Sequence, residues 1–245
     1  MTSYDHIARF YDTVMDDPGP RAERVVRSIE RYRPTARSLL ELGCGTGSIL
    51  ARLEGVPSLT GLDRSREMLV LAREKVPGAQ FVEGDMSSFA LSERFDVVIS
   101  VFDSINHLLD FDAWRATFDA VHAHLADGGL FVFDVNTMGE LRRLGNDEPW
   151  VFDFEGGVMI MDVTYAEDDA EAGISEWDIR IFERAATGTD AYHLHHEKIG
   201  ELAVSLARLK AVLAERFELL EEGTKDDQTP TDQSIKAYFA YRRIP

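Results

Sequence analysis

Residues 39–53, LLELGCGTGSILARL, join an apolar run to an amphipathic one through three glycines at alternate positions, Gly43, Gly45 and Gly47. Ser38 to Leu42 reads as a short buried strand, and Ile49, Leu50 and Leu53 then recur at helical spacing. The glycines therefore form a strand-to-helix turn. Glycine reaches positive φ freely and lets a ligand approach backbone N–H groups that a Cβ would shield. Such a turn points to a nucleotide-like ligand.

The pattern around the turn extends it into an architecture. From Arg37 to Thr137, short apolar strand, turn and amphipathic helix alternate, which is the signature of a parallel sheet covered by helices. Strands are expected at 38–42, 58–63, 79–85, 95–102 and 129–136, with helices near 47–54, 65–76 and 112–125. Ser65 is placed to cap the second helix, whose inner face would carry Met68, Leu69, Leu71 and Ala72. Upstream, Ile7, Phe10, Tyr11 and Val14 fall on one helical stripe, and Val25, Val26, Ile29 and Tyr32 mark 21–33 as an amphipathic helix with a solvated charged face.

After the core the period changes to two. Segments 156–167 and 174–184 alternate like antiparallel strands, with Trp177, Ile179 and Ile181 on one face and the acidic connector 168–173 between them. A third strand is expected at 190–199 after ATGT, then a helix over 203–215 presenting Leu206, Leu209 and Leu213, then final strands at 217–222 and 234–243. The expected fold is α/β: a doubly wound, mostly parallel seven-stranded sheet with N-terminal helices and an antiparallel β insertion. The insertion would act as a lid over the carboxyl ends of the strands, where open α/β sheets bind ligands. The chain reads as one domain, 1–245, with an N-terminal helical region (1–35), a cofactor-binding core (36–138), the β insertion (139–200) and a C-terminal helix with the last two strands (201–245).

Composition narrows the function. The only cysteine, Cys44, lies inside the glycine turn, so neither an intrachain disulfide nor a cysteine-based zinc site is available. A net charge of −18 would repel a phosphate backbone, so no nucleic-acid partner is expected. No apolar stretch approaches the roughly 18 residues that span a bilayer, and the polar start MTSYDHIARFYD has no signal-peptide core. A cytoplasmic location without a membrane partner is the expectation.

The spacing of the turn also discriminates among ligands. A dinucleotide fold wants Gly-x-Gly-x-x-Gly, but Ser48 stands where the third glycine belongs, and the pattern is Glu41-x-Gly43-x-Gly45-x-Gly47. Three further motifs follow at successive strand ends: GLDRSREML, FVEGDM and FDVVISVFDSINHL. With these, residues 38–136 resemble a class I S-adenosylmethionine-dependent methyltransferase. The resemblance implies S-adenosyl-L-methionine as cofactor, with Gly43, Cys44 and Gly45 in its loop. It places Asp63 on the ribose diol with Arg64 beside it, Asp85 on the adenine amino group, and Met68 and Met86 on the ring. Glu41 would face the methionyl amine or orient the loop, and Phe102 would line the sulfonium pocket. N-capping of the following helices is a competing role for Asp63 and Asp85. The start YDHIARFYD is similar to a subgroup acting on small molecules, which includes amino-sugar N-methyltransferases. In that subgroup the tyrosine at the position of Tyr11 closes over the methionyl end; core packing is the rival reading. The tail KDDQTPTDQSIKAYFAYRR resembles the subgroup's closing strand.

The segment VFDSINHLL would then adjoin the transferred methyl. His107 is the candidate general base, because an imidazole titrates near neutral pH, and Asp103 is the candidate for orienting an amine. A locally satisfied His107 is the alternative. In HLHH, His193 and His195 share a strand face with Glu197, but solvated histidines explain this as well, and no metal is expected. The expected reaction is methylation of a small-molecule amine or hydroxyl, releasing S-adenosylhomocysteine. The expected partners are that acceptor and, as an allowed assembly, a homodimer. A non-catalytic module binding S-adenosylmethionine is the first alternative, and a nicotinamide-dependent oxidoreductase the second.

Overall fold

The computed structural model describes residues 4–169, 171–186 and 190–245. Its strands are β1 (Ser38–Leu42), β2 (Ser58–Asp63), β3 (Gln80–Glu83), β4 (Phe95–Ser100), β5 (Leu125–Asn136), β6 (Trp150–Phe154), β7 (Gly157–Asp169), β8 (Ala172–Arg184), β9 (Tyr192–Val204), β10 (Phe217–Gly223) and β11 (Lys236–Arg243). The helices are α1 (Ala8–Val14), α2 (Gly19–Tyr32), α3 (Arg66–Lys75), α4 (Phe111–His124), α5 (Met138–Leu144) and α6 (Leu206–Leu213). A seven-stranded sheet runs in the order β10-β11-β5-β4-β1-β2-β3, and a four-stranded sheet in the order β6-β7-β8-β9. Within the large sheet β1 to β5 pair in parallel, while β11 is antiparallel to both β5 and β10. This is the mostly parallel, Rossmann-like sheet that the alternation of strands and helices predicts.

Strands buried on both faces need apolar residues at every position rather than at alternate ones. In β1 and β4, Leu39, Leu40, Leu42, Val97, Val98 and Ile99 are all fully buried. Alternate residues then feed two separate cores. Leu40, Leu42, Val98, Phe131 and Phe133 pack with Trp114 and Phe118 of α4 and Leu209 of α6. Leu39, Val97, Ile99 and Val132 pack with Val25 and Ile29 of α2, Leu50, and Leu69 of α3. Ser65 caps α3 as expected, accepting from the Met68 N–H at 3.1 Å, and Met68, Leu69 and Ala72 face inward.

Three expectations are corrected. In place of a helix over 47–54 there is a single 3₁₀ turn, Leu50–Arg52. Gly47 is still left-handed at φ +73°, and Gly55 at φ +115° followed by Pro57 ends the segment, which confines the turn between them. The strand expected over 95–102 stops at Ser100, because Phe102 and Asp103 turn left-handed. The insertion is also richer than three strands over 139–200. It opens with α5, whose Thr137-x-x-Glu140 start is a capping signature: Thr137 Oγ1 accepts from Glu140 N at 3.2 Å. It then adds β6 and carries β9 on to Val204, where pairing with Ala172 holds the extra residues and delays α6 to Leu206. Residue 170 of the acidic connector and residues 187–189 of ATGT lie outside the described residues.

The small sheet turns Met159, Ile179, Ile181 and Ile199 onto Ile7 and Phe10 of the N-terminal segment. The N-terminal stripe is thereby split, with Ile7, Phe10 and Val14 against the small sheet and Tyr11 released toward the carboxyl ends of the large one. The two sheets are joined by Asn106, which is fully buried in a 3₁₀ turn at Ser104–His107. Its Nδ2 donates to Asn136 O at 3.0 Å and Leu202 O at 2.9 Å, and its Oδ1 accepts from Asn136 N at 3.0 Å. No helix among the described residues is long and apolar enough to cross a membrane.

Replacing Asn106 by Ala leaves three buried backbone groups without partners. A loss of about 3 kcal/mol is expected from that change, read as a lower urea midpoint at an unchanged slope.

Candidate active site

The carboxyl end of β1 runs into Gly43, Gly45 and Gly47, with φ values of +70°, +51° and +73°. A Cβ at Gly43 would lie 2.7 Å from that of Ser104, so a side chain is excluded by both backbone geometry and space. Asp63, at the end of β2, holds the loop through its carboxylate. Its Oδ2 accepts from Gly45 N and its Oδ1 from Ser65 N, both at 2.8 Å. Burial pushes the Asp63 carboxyl up, against the pull of those backbone donors. Two aspartates of the N-terminal segment fasten that segment over the loop. Asp12 accepts from Thr46 Oγ1 at 2.6 Å and Lys75 Nζ at 2.5 Å, and Asp5 accepts from Ser65 Oγ at 2.6 Å.

Two adjoining cavities open beside the loop. One of about 280 Å³ is lined by Tyr4, Tyr11, Asp63, Arg64, Met68, Met86, Phe102 and His107. The other, about 260 Å³, is lined by Glu41, Cys44, Thr46 and Val101 among others. Tyr11, Gly43, Gly45, Phe102 and Ser104 wall both. Glu41 is buried, and its Oε2 has no hydrogen-bond partner. Burial raises its carboxyl well above the ordinary value. A carboxylate oxygen left unpaired in a cavity wall fits a cationic amine. Asp63, the glycine cradle and the two methionines fit an adenosine, so the residues present suit S-adenosylmethionine.

The turn after β4 carries the chemistry. Phe102 and Asp103 are both left-handed, at φ +61° and +52°, a conformation that costs a non-glycine residue about 1–2 kcal/mol. Asp134 of β5, fully buried, holds it: its carboxylate accepts from Phe102 N at 3.2 Å and Asp103 N at 2.7 Å. Lys236 of β11 pairs with Asp103 and stands 3.5 Å from Asp134. The Arg21 guanidinium lies 3.7 Å from the Phe102 ring centre. Burial alone would raise the Asp103 carboxyl, but the Lys236 ammonium brings it below its ordinary value.

His107 ends this turn. The Gly200 carbonyl, 3.2 Å from Nδ1, can only accept, so Nδ1 carries the proton and Nε2 accepts from Tyr4 Oη–H at 3.0 Å. Burial lowers the imidazole's pKa, against the raising effect of Asp103. His107 is thus held neutral, one tautomer selected, on the wall of the larger cavity.

The cavities gather Tyr11, Glu41, Gly43, Cys44, Gly45, Asp63, Arg64, Met68, Met86, Phe102 and His107 from the residues singled out in the sequence. Asp103 and Asp85 are not among the cavity-lining residues. Asp103 is occupied by Lys236. Asp85 serves the turn that follows it, accepting from Ser87 N at 2.8 Å and Ser87 Oγ at 2.6 Å; no helix follows before β4, so it caps none. In HLHH, His195 pairs with Glu183 and His196 with Asp178. Among the described residues, Asp103, His107 and Glu201 converge to within 4.8 Å, but the Lys236 ammonium already holds a cation's place on Asp103. The group is an ion-pair cluster. Sequence reasoning missed Tyr4, although it is the first tyrosine of the same YDHIARFYD motif, and it missed Asp134, Lys236, Arg21 and Glu201, which no local pattern marks.

Comparison with known proteins agrees with this geometry. A family profile described as a methyltransferase domain matches residues 39–129. The dTDP-3-amino-3,6-dideoxy-alpha-D-glucopyranose N,N-dimethyltransferase of Streptomyces fradiae is 30% identical over 202 residues, covering 78% of this chain and 75% of the relative. An S-adenosylmethionine-dependent methyltransferase from Clostridium acetobutylicum superposes with a TM-score of 0.83 at 20% identity, over 99% of this chain and 96% of that one. A sugar N-methyltransferase from Streptoalloteichus sp. gives a TM-score of 0.77 at 24% identity, over 100% and 94%. The chain belongs to the class I S-adenosylmethionine-dependent methyltransferases, and its cofactor is S-adenosyl-L-methionine. Within that class it resembles the amino-sugar N-methyltransferases, and the nicotinamide reading falls away.

Gly43→Ala is expected to weaken calorimetric binding of S-adenosylmethionine at least tenfold, about 1.4 kcal/mol. Gly78→Ala, where a Cβ meets nothing within 4 Å, is expected to leave it unchanged.

Proposed function

We propose that this methyltransferase alkylates the nitrogen of a small-molecule amine, with His107 as general base and S-adenosylhomocysteine as product. The observation that carries the reading is a neutral imidazole in the wall of the cavity also lined by Asp63, Met68 and Met86, its Nε2 joined to the Tyr4 hydroxyl of the same wall. The names of the relatives as amino-sugar N-methyltransferases support nitrogen over oxygen.

When bound, the cofactor supplies an electrophilic methyl group on a sulfonium. In this reading Asp63 accepts from the ribose diol, Met68 and Met86 flank the adenine, and Glu41 meets the methionyl ammonium. Tyr4 and Tyr11 close the cavity with their rings 5.7 Å apart in an edge-on arrangement. They exclude water and offer π faces to a cation. An amine arrives largely as ammonium and must lose a proton before its lone pair can attack. That proton passes to the Tyr4 hydroxyl as Tyr4 hands its own to His107 Nε2, while the Gly200 carbonyl keeps Nδ1–H in place and favours the imidazolium that forms. The small sheet, supplying Gly200, is a lid that belongs to the same functional unit as the core, so 1–245 acts as one domain.

Two measurements test this. Asp63→Ala is expected to weaken S-adenosylmethionine binding roughly tenfold, whereas His107→Gln binds it normally but loses about 10²–10⁴ in kcat toward an amine acceptor. Release of S-adenosylhomocysteine from hydroxyl acceptors but from no amino sugar or other amine would overturn the nitrogen assignment. Because a base works only when deprotonated and burial lowers the His107 pKa, kcat/KM should hold level through neutrality. It should fall only as pH drops below the ordinary histidine value of about 6.5.

A further inference from the structure

Glu201 lies on β9, is buried, and takes no part in the scheme above. Its Oε2 accepts from Asn136 Nδ2 at 2.9 Å, and a carboxyl oxygen of Glu201 lies within 4.8 Å of one of Asp103. Two buried carboxyl groups this close resist ionising together. Lys236 pins Asp103 as the anion, so Glu201 is the one that holds a proton more readily. Burial, and then the Asp103 charge, push Glu201 up to about 8. A donor atom from each of Asp103, His107 and Glu201 lies within 4.8 Å of the other two.

The charges around this group come from every side. Asp134 of β5 and Lys236 of β11 stand behind Asp103. Arg21 of α2 covers Phe102. Tyr4, Tyr11 and Asp63 flank His107 across the cavity. Asp103 and Asp134 are offset by Lys236 and Arg21, which leaves Asp63 as the uncompensated carboxylate acting on the imidazole before Glu201 ionises at all.

We propose that Glu201 is the positioning residue of His107: buried beside Asp103 and the imidazole, it sets how firmly the ring holds a proton taken from the acceptor. The inference rests on His107 being the base. While Glu201 keeps its proton, it adds no charge to the cluster. Once it ionises, a second carboxylate faces the ring and favours the imidazolium. Glu201 exchanges no proton with the acceptor and touches neither acceptor nor cofactor. Because it is carried by the small sheet, the strength of the base depends on that sheet being docked.

The test follows the His107 ring signals by NMR in the full-length, histidine-labelled protein saturated with S-adenosylhomocysteine, from about pH 5 to about pH 10. The His107→Gln spectrum identifies the resonance, and no acceptor is needed. The native chain is expected to show, above the imidazole's own step, a second inflection near pH 8. Glu201→Gln can keep the bond to Asn136; it should bind S-adenosylhomocysteine within about twofold of the native chain and lose the upper inflection. Glu201→Asp, one methylene shorter, should keep the inflection at a shifted midpoint, and it decides the matter if the glutamine variant does not fold. A single inflection in the native chain, or an upper inflection that survives in Glu201→Gln, overturns the proposal. A His107→Gln chain that still methylates amines at full rate would instead overturn the base assignment, and it would leave the NMR coupling as it was.

Discussion

The buried carboxylate of Asp134 is the interaction on which the active site depends. Two successive non-glycine residues in left-handed conformation do not persist unless something repays their strain. Asp134 does so by accepting both of their amide hydrogens at the end of β5. That contact turns the chain sharply after β4, starts the short 3₁₀ turn, and carries His107 back over the carboxyl ends of β1 and β2. Lys236 makes the arrangement electrically tolerable, because two carboxylates in a dry interior would otherwise repel each other and take up protons.

The second constraint is the joint between the sheets. Asn106 bonds backbone groups of β5 and β9 at once, and its neighbour His107 bonds Gly200. The small sheet is therefore fastened to the large one at the residues that adjoin the cavity. Opening the joint would release the His107 tautomer and the Glu201 carboxyl together. At the opposite wall, Asp12 and Asp5 fasten the N-terminal segment across the glycine loop, which puts Tyr4 and Tyr11 over the same space. Core and N-terminal segment line the cavities, and the small sheet braces His107 from behind through Gly200.

Much of this was legible in the chain because it is local. The glycine turn, Asp63 at a strand end, the Ser65 cap and the apolar runs of β1 and β4 are short-range consequences of φ preference, hydrogen-bonding side chains and burial. The lost helix after the glycine turn shows the limit of such reasoning. Ile49, Leu50 and Leu53 have helical spacing, yet between the left-handed Gly47 and the Gly55 to Pro57 stop the chain forms only the 3₁₀ turn Leu50–Arg52. The α5 helix was overlooked although its capping residues were visible, because Gly139 and a seven-residue length weaken the periodic signal. Asp103 and Asp85 were recognisable as polar residues at strand ends. Whether each faced the cavity, a lysine or its own turn had no local signature.

The sequence by itself determined the α/β class, the parallel strands of the large sheet, the cofactor loop and the residues that line it, since each follows from spacing within a few dozen residues. Only the tertiary structure decided which groups meet across the chain. Lys236 finds Asp103 over 133 positions, Tyr4 finds His107 over 103, and Glu201 reaches Asn136 over 65. Those encounters depend on register and on how two sheets pack, and a buried charge or proton takes its state from its neighbours in space rather than along the chain.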